Sequence, residues 1–139
     1  MTFESFHRTT LGELLTAQAA HYPDRPFVRM LNGESCTYAD VERQASALAA
    51  GLRGLGLRPG DRLSIILPNI PQYVLTIFAA AKAGLIVCPI NVRRRRDEAL
   101  ARLAKTRPTA LITNAERLAM ARELRAELPE LKHLIAVDG

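Results

Sequence analysis

The stretch Arg62–Ile90, RLSIILPNIPQYVLTIFAAAKAGLIVCPI, decides the fold. RLSIIL is a short, nearly unbroken apolar run that reads as a buried strand, and Pro68-Asn69 ends it. Pro71 suits the first turn of a helix, which runs on until Gly84. LIVCPI is then a second buried strand. Within this stretch, Tyr73–Ile90 is eighteen residues with a single charge, so its length alone would allow a membrane span. Lys82 near its middle would cost about 2.5–3.5 kcal/mol in a bilayer, and Gly84 and Pro89 interrupt the run. A helix followed by a strand fits better.

The same alternation extends in both directions. Upstream, Thr10 and Glu13 form a capping box for a helix from Leu11 to about His21, which Pro23 ends. PFVRML and SCTY flank Asn32-Gly33, a hairpin turn. Thr37 caps a second helix, Tyr38 to about Leu55, with Asp40 in its first turn. Val41, Ala45, Leu48, Ala49 and Leu52 share one face of that helix. Gly56 suits the left-handed position after it, and Pro59-Gly60-Asp61 turns the chain into RLSIIL. Downstream, a helix spans about Asp97 to Thr106, with Leu100 and Leu103 turned inward and a Glu98–Arg102 pair on its surface. TALIT is a strand, Asn114 caps a helix reaching about Leu128, and HLIAV is a last strand. Short apolar strands separated by amphipathic helices predict an α/β fold, a mostly parallel sheet with helices on both faces.

Composition narrows the function classes. Apolar residues make up 48% and charged residues 24% of 139 residues, values of a globular domain with a core of Leu, Ile, Val and Ala. The net charge is +5, and residues 93–107 supply the whole excess, with seven basic groups against Asp97 and Glu98. The charge is therefore a patch, not a global field. No Phe, Tyr or Trp follows Phe78, so the patch has no platform for base stacking, and nucleic acid is not an expected partner. The run Arg93-Arg94-Arg95-Arg96 also opposes the helix dipole at a helix start, which leaves room for an anion. Cys36 and Cys88 form neither a CxxC pair nor a disulfide framework, as in a reduced cytoplasmic setting. The N-terminus has no apolar signal region.

The chemistry-bearing motifs are missing. The glycine cluster Gly51–Gly60 follows a helix and opens a strand, the reverse of a nucleotide loop, so it reads as helix termination and a Pro-Gly turn. His7, His21 and His133 share no metal-ligand spacing. The four serines, at 5, 35, 46 and 64, form no phosphate loop, and G-x-x-x-x-G-K-[ST] does not occur. The expected number of catalytic, cofactor-binding and metal-binding residues in this chain is therefore none.

Four ordered blocks carry a resemblance. They are TLGELLTAQAAHYPDRPFVRM (Thr10–Met30), CTYADVERQASALAAGLRGLGLRPGDRLSIILPN (Cys36–Asn69), PQYVLTIFAAAKAGLIVCPIN (Pro71–Asn91) and DEALARLAKTRPTALIT (Asp97–Thr113). Together they resemble the N-terminal region of the adenylate-forming, AMP-dependent synthetases and ligases, especially bacterial acyl-CoA synthetases. TYADVERQASALAAGL is similar to the family's first core motif and AKAGLIVCPIN to its second. The resemblance implies that residues 1–139 are a single N-terminal subdomain or fragment of the large adenylation domain, its C-terminal domain absent. It also implies an enzyme that joins a carboxylic acid to CoA through an acyl-adenylate, with ATP, Mg and CoA expected only for the full-length protein. The family's T-S-G-T-T-G-x-P-K phosphate loop, its adenine, ribose and magnesium motifs and its C-terminal lysine have no counterpart here, so the chain alone is expected to be inactive.

What the resemblance carries over is architectural. Thr37 and Tyr38 open the first motif's helix, and Gly60-Asp61 makes the turn. Lys82, Gly84, Pro89 and Asn91 belong to the second motif. Asn69 and Asn91, at strand ends, stand nearest to any substrate, though neither reads as catalytic. The family often has an aromatic or hydroxyl residue after Asn91, where this chain has four arginines. Two further expectations follow. One is a non-catalytic interaction module using the basic Arg93–Arg107 patch. The other is self-association through sheet edges that absent strands would have covered.

Overall fold

The computed structural model describes residues 9–137. A two-stranded antiparallel hairpin, β1 (Pro26–Arg29) and β2 (Ser35–Thr37), lies apart from a four-stranded parallel sheet of order β4-β3-β5-β6. Those strands are β3 (Arg62–Ile66), β4 (Ile86–Pro89), β5 (Ala110–Asn114) and β6 (His133–Val137). The helices are α1 (Leu11–His21), α2 (Tyr38–Gly54), α3 (Pro71–Ala83), α4 (Arg96–Thr106) and α5 (Leu118–Glu127), the last preceded by a 3-10 turn at Ala115–Arg117.

Strand periodicity divides the core between the two faces of the sheet. Leu63, Ile65, Ala110 and Ile112 pack on Leu15, Val41, Ala45, Leu75 and Ala79 of α1–α3. Ile66 and Leu111 face the other way, onto Ala99, Leu103, Ala121 and Leu124 of α4 and α5. Both faces are thus covered, as the apolar runs predicted. In α4, Leu103 is fully buried but Leu100 only half-buried, and Ala99 takes the second inward position.

Local signals set the boundaries. The Thr10 amide donates to the Glu13 carboxylate at 2.8 Å, and the Glu13 amide returns a bond to the Thr10 hydroxyl at 3.2 Å. Thr37 and Asp40 build the same reciprocal cap for α2, at 3.1 and 3.2 Å. In both caps, the bonds from the threonine backbone amide and then its hydroxyl hold the carboxyl, of Glu13 or Asp40, below the usual carboxylate range. Pro71 occupies the first turn of α3, and Gly84 ends it with φ 71. Phe27 of the hairpin meets the rings of Tyr38 and Phe78 edge-on, with centroids 4.7 and 5.5 Å away, and so docks β1 on α2 and α3.

The hairpin turn expected at Asn32-Gly33 is present in the loop that joins the antiparallel β1 and β2. The Gly33 amide donates to the Met30 carbonyl, the Met30 amide to Glu34, and only Gly33 has positive φ. α4 starts at Arg96, with Arg95 at its cap position, within one residue of the expected start. Two expectations need correction. Glu98 pairs not with Arg102 but with Arg94, at 2.9 Å, and also accepts from the Arg95 amide at 3.2 Å. Both arginines stand four residues from Glu98, and the amide bond turns the carboxylate toward the N-terminal one. Finally, Asn114 makes no side-chain cap. It is the last residue of β5, and its buried Oδ1 has no hydrogen-bond partner.

Candidate functional site

In parallel sheets ligands gather where chains leaving neighbouring strands go to opposite faces. One such point lies at the carboxyl ends of β3 and β4. The chain leaving β3 passes to α3 on one face, and the chain leaving β4 passes to α4 on the other. Between them opens a cleft of about 610 Å³, lined by Leu67, Asn69, Tyr73, Ile90, Asn91 and Arg93 among others. The two asparagines singled out at strand ends are therefore brought to one cleft. Sequence reading missed Tyr73, whose only signal was a polar-tipped ring one turn into a helix.

The cleft's polar equipment is small. The Asn91 side-chain oxygen accepts from the Arg93 amide at 2.9 Å, which shapes the turn rather than a ligand. Arg93 is the one cation among the lining residues. There is no carboxylate in the lining to hold magnesium and no run of hydroxyls or glycines to cradle phosphates. These residues do not by themselves fit MgATP.

The arginine run splits by position. Arg94 pairs with Glu98. Arg96 pairs with Asp97, Glu123 and Glu127, tying the start of α4 to α5. Asp97 and Glu98 also place negative charge in the first turn, offsetting the unfavourable arginines. Arg93 and Arg95 carry no ion pair among the described residues, and both are exposed.

Other candidates resolve into structural roles. Lys82 donates to Glu42 and Thr16, both at 2.8 Å, and so joins α3 to α2 and α1. A Cβ on Gly12 would lie 3.0 Å from the Lys82 side chain, so the glycine lets α1 approach. His21 sits at the end of α1, where its ring nitrogen bonds the Ala17 carbonyl. His133 opens β6, while His7 and Ser5 lie outside the described residues. Cys36 and Cys88 are free thiols. Half-burial pushes the Cys88 thiol up, against the pull of Arg62. Among the described residues no helix is long and apolar enough to cross a membrane. The eighteen-residue window is divided between α3 and β4.

Comparison with known proteins decides the family. The family model for "AMP-binding enzyme" matches residues 15–139. The chain belongs to the AMP-binding enzyme family. Among its relatives, triostin synthetase I of Streptomyces triostinicus is 36% identical over 126 residues, 90% of this chain and 24% of the relative. A feruloyl-CoA synthase of Amycolatopsis is 37% identical over 127 residues, 87% of this chain and 26% of the relative. Among solved structures, an acetoacetyl-CoA synthetase of Streptomyces lividans superposes with a TM-score of 0.83 at 34% identity, covering 93% of this chain and 22% of that one. The chain spans about a quarter of the length of the curated relatives it matches. Its α/β fold is the one found in solved N-terminal domains of the family, such as that of FACL13 from Mycobacterium tuberculosis, which superposes with a TM-score of 0.85 at 25% identity, covering 93% of this chain and 34% of that one.

Proposed function

We propose that residues 1–139 are one N-terminal subdomain of an adenylation domain, and that they frame the substrate side of an ATP-dependent acyl-CoA synthetase without performing its chemistry. The whole protein would convert a carboxylic acid, ATP and CoA to acyl-CoA, AMP and pyrophosphate in a reduced cytoplasmic setting. The observation that carries this reading is the cleft. It stands at a switch point of a family-typed sheet, yet its lining holds one cation and no phosphate cradle. The nucleotide, magnesium and CoA contacts must then come from other parts of the protein, and the chain alone is inactive.

Exchanging this chain for the matched quarter of the Amycolatopsis feruloyl-CoA synthase tests the placement. The chimera should retain carboxylate-dependent exchange of labelled pyrophosphate into ATP. A folded chimera with no exchange would contradict it.

The sheet edges support the expected self-association. β4 pairs only with β3 and β6 only with β5 among the described residues. Ile86 and Ile90 donate their amides toward β3, so the backbone nitrogens of Val87 and Pro89 lie on the open edge of β4. Proline removes one outward donor there, but Ile86 remains half exposed. Light scattering should show association that grows with concentration, and a monodisperse monomer would remove the idea. The alternative use of Arg93–Arg107 as a macromolecular docking patch is weaker. Three of its seven cations, Arg94, Arg96 and Arg107, are held in intramolecular pairs. Steeply salt-dependent RNA binding abolished by alanine at Arg93–Arg96 would restore it.

A further inference from the structure

At the opposite end of the sheet, where the strands begin, parallel register gathers cations that lie far apart in sequence. Leu63 pairs with Ala110 and Ala110 with His133. Arg62, Thr109 and Lys132, each one residue earlier, therefore stand side by side. The backbone locks them there, since the Thr109 amide donates to the Arg62 carbonyl and the Lys132 amide to the Thr109 carbonyl, both at 2.9 Å. Lys105 and Arg107, at the end of α4, complete a groove of about 410 Å³ with Glu130.

The charge balance of this groove is lopsided. Four cations line it against one carboxylate. Glu130 is already engaged by Arg107, at 2.8 Å to Nε and 2.7 Å to a terminal nitrogen. Arg62, Lys105 and Lys132 are exposed and carry no ion pair among the described residues. Lys105 and Arg107 also suit the negative end of α4, but Arg62 and Lys132 have no such helix to serve. Arg107 is the one non-glycine residue with positive φ among the described residues, at 47°. Glycine would take that conformation without strain. Here the position carries a guanidinium instead, and such strain clusters where a side chain has work to do.

We propose that this groove binds a small phosphoanion carrying two or more adjacent negative charges. Guanidinium and ammonium groups converging on one concavity repel each other until a counter-charge enters, and they match phosphoryl oxygens well. Concavity favours a small ligand over a flat polymer or bilayer surface. No aromatic or large apolar side chain lines the groove, so neither base stacking nor membrane insertion has an anchor. The proposal rests on local geometry and is independent of the enzyme reading above.

Titration of the 139-residue protein with sodium pyrophosphate, followed by backbone amide NMR, tests it. Saturable shifts should cluster at residues 62, 105–109 and 130–132, and affinity should fall steeply with added salt. The double variant Arg62→Ala/Lys132→Ala should bind about tenfold more weakly or worse, and Glu130→Gln, which frees Arg107, about threefold more tightly. These side chains are on the surface, and circular dichroism checks that each variant folds. No saturable shift up to about 10 mM pyrophosphate, shifts centred on Arg93 and Arg95, or binding unchanged in the double variant would overturn the site. RNA or anionic phospholipid vesicles bound more tightly than pyrophosphate, and not displaced by it, would overturn the small-ligand class.

Discussion

The two ends of the parallel sheet are built differently. At the amino ends of β3 and β4 the chain closes on itself. The Gly60 amide donates to the Gly84 carbonyl at 2.8 Å, the Arg58 amide to the Asp61 carboxylate at 2.8 Å, and the Ile86 amide to the Asp61 carbonyl at 2.8 Å. A Cβ on Gly84 would stand 3.0 Å from that of Pro59. At the carboxyl end the strands break at Pro68 and Asn91 and their chains part to opposite faces, leaving a cleft with few committed polar groups. Beside β3 and β4 the amino end is closed by contacts within these residues, and its basic groove lies toward β5 and β6. The other presents a frame whose polar groups are mostly unspent. The difference locates where this piece of an AMP-binding enzyme specifies its own fold and where it leaves room for chemistry.

The largest effect should come from the closed end. Gly84→Ala imposes both a φ of 71 and the contact with Pro59, and should destabilise by about 2 kcal/mol, read as a lower denaturant midpoint. A neutral outcome would show that the turn is loose and the contrast overstated. Next is Thr37→Ala, which starts the helix whose far end feeds that turn. Loss of the cap should cost about 1 kcal/mol. Its pH dependence sharpens the point. Asp40 and Glu13 have lowered folded pKa values, first through backbone and then through side-chain bonds to their cap threonines. The stability they contribute is therefore present above the ordinary carboxylate pKa of about 4 and is lost as pH falls through the folded value. The loss between neutral and acid pH should be shallower in Thr37→Ala, measured by denaturation across pH. The smallest effect belongs to the open end. Asn69 is exposed, and Asn69→Ala should change stability by less than about 0.5 kcal/mol. A larger loss would mean that the cleft wall is structural.

How much of this was legible follows from how local each signal is. Thr10 with Glu13, Pro71 at the start of α3 and Gly84 after it announce themselves within one helical turn, and the structure uses each of them as read. Asn69 and Asn91 could be placed at strand ends because the apolar runs are short and clearly bounded. The Lys82–Glu42 bond could not be foreseen, because it joins helices forty residues apart in sequence. Glu98 had two arginines at equal spacing, and the choice of Arg94 rests on an amide bond invisible in sequence. Arg107 defeats the rule that reserves the left-handed helix end for glycine or asparagine. The groove of Arg62, Thr109 and Lys132 exists only through parallel register, which no window of residues displays.

The central claim is that this chain frames a cleft but lacks the means to form an adenylate. Carboxylate-dependent exchange of labelled pyrophosphate into ATP, measured on the purified chain with a panel of aromatic and aliphatic acids, tests it most directly. The account predicts no exchange above the protein-free rate with any acid. Exchange that requires the acid and rises in proportion to the amount of this chain would contradict it.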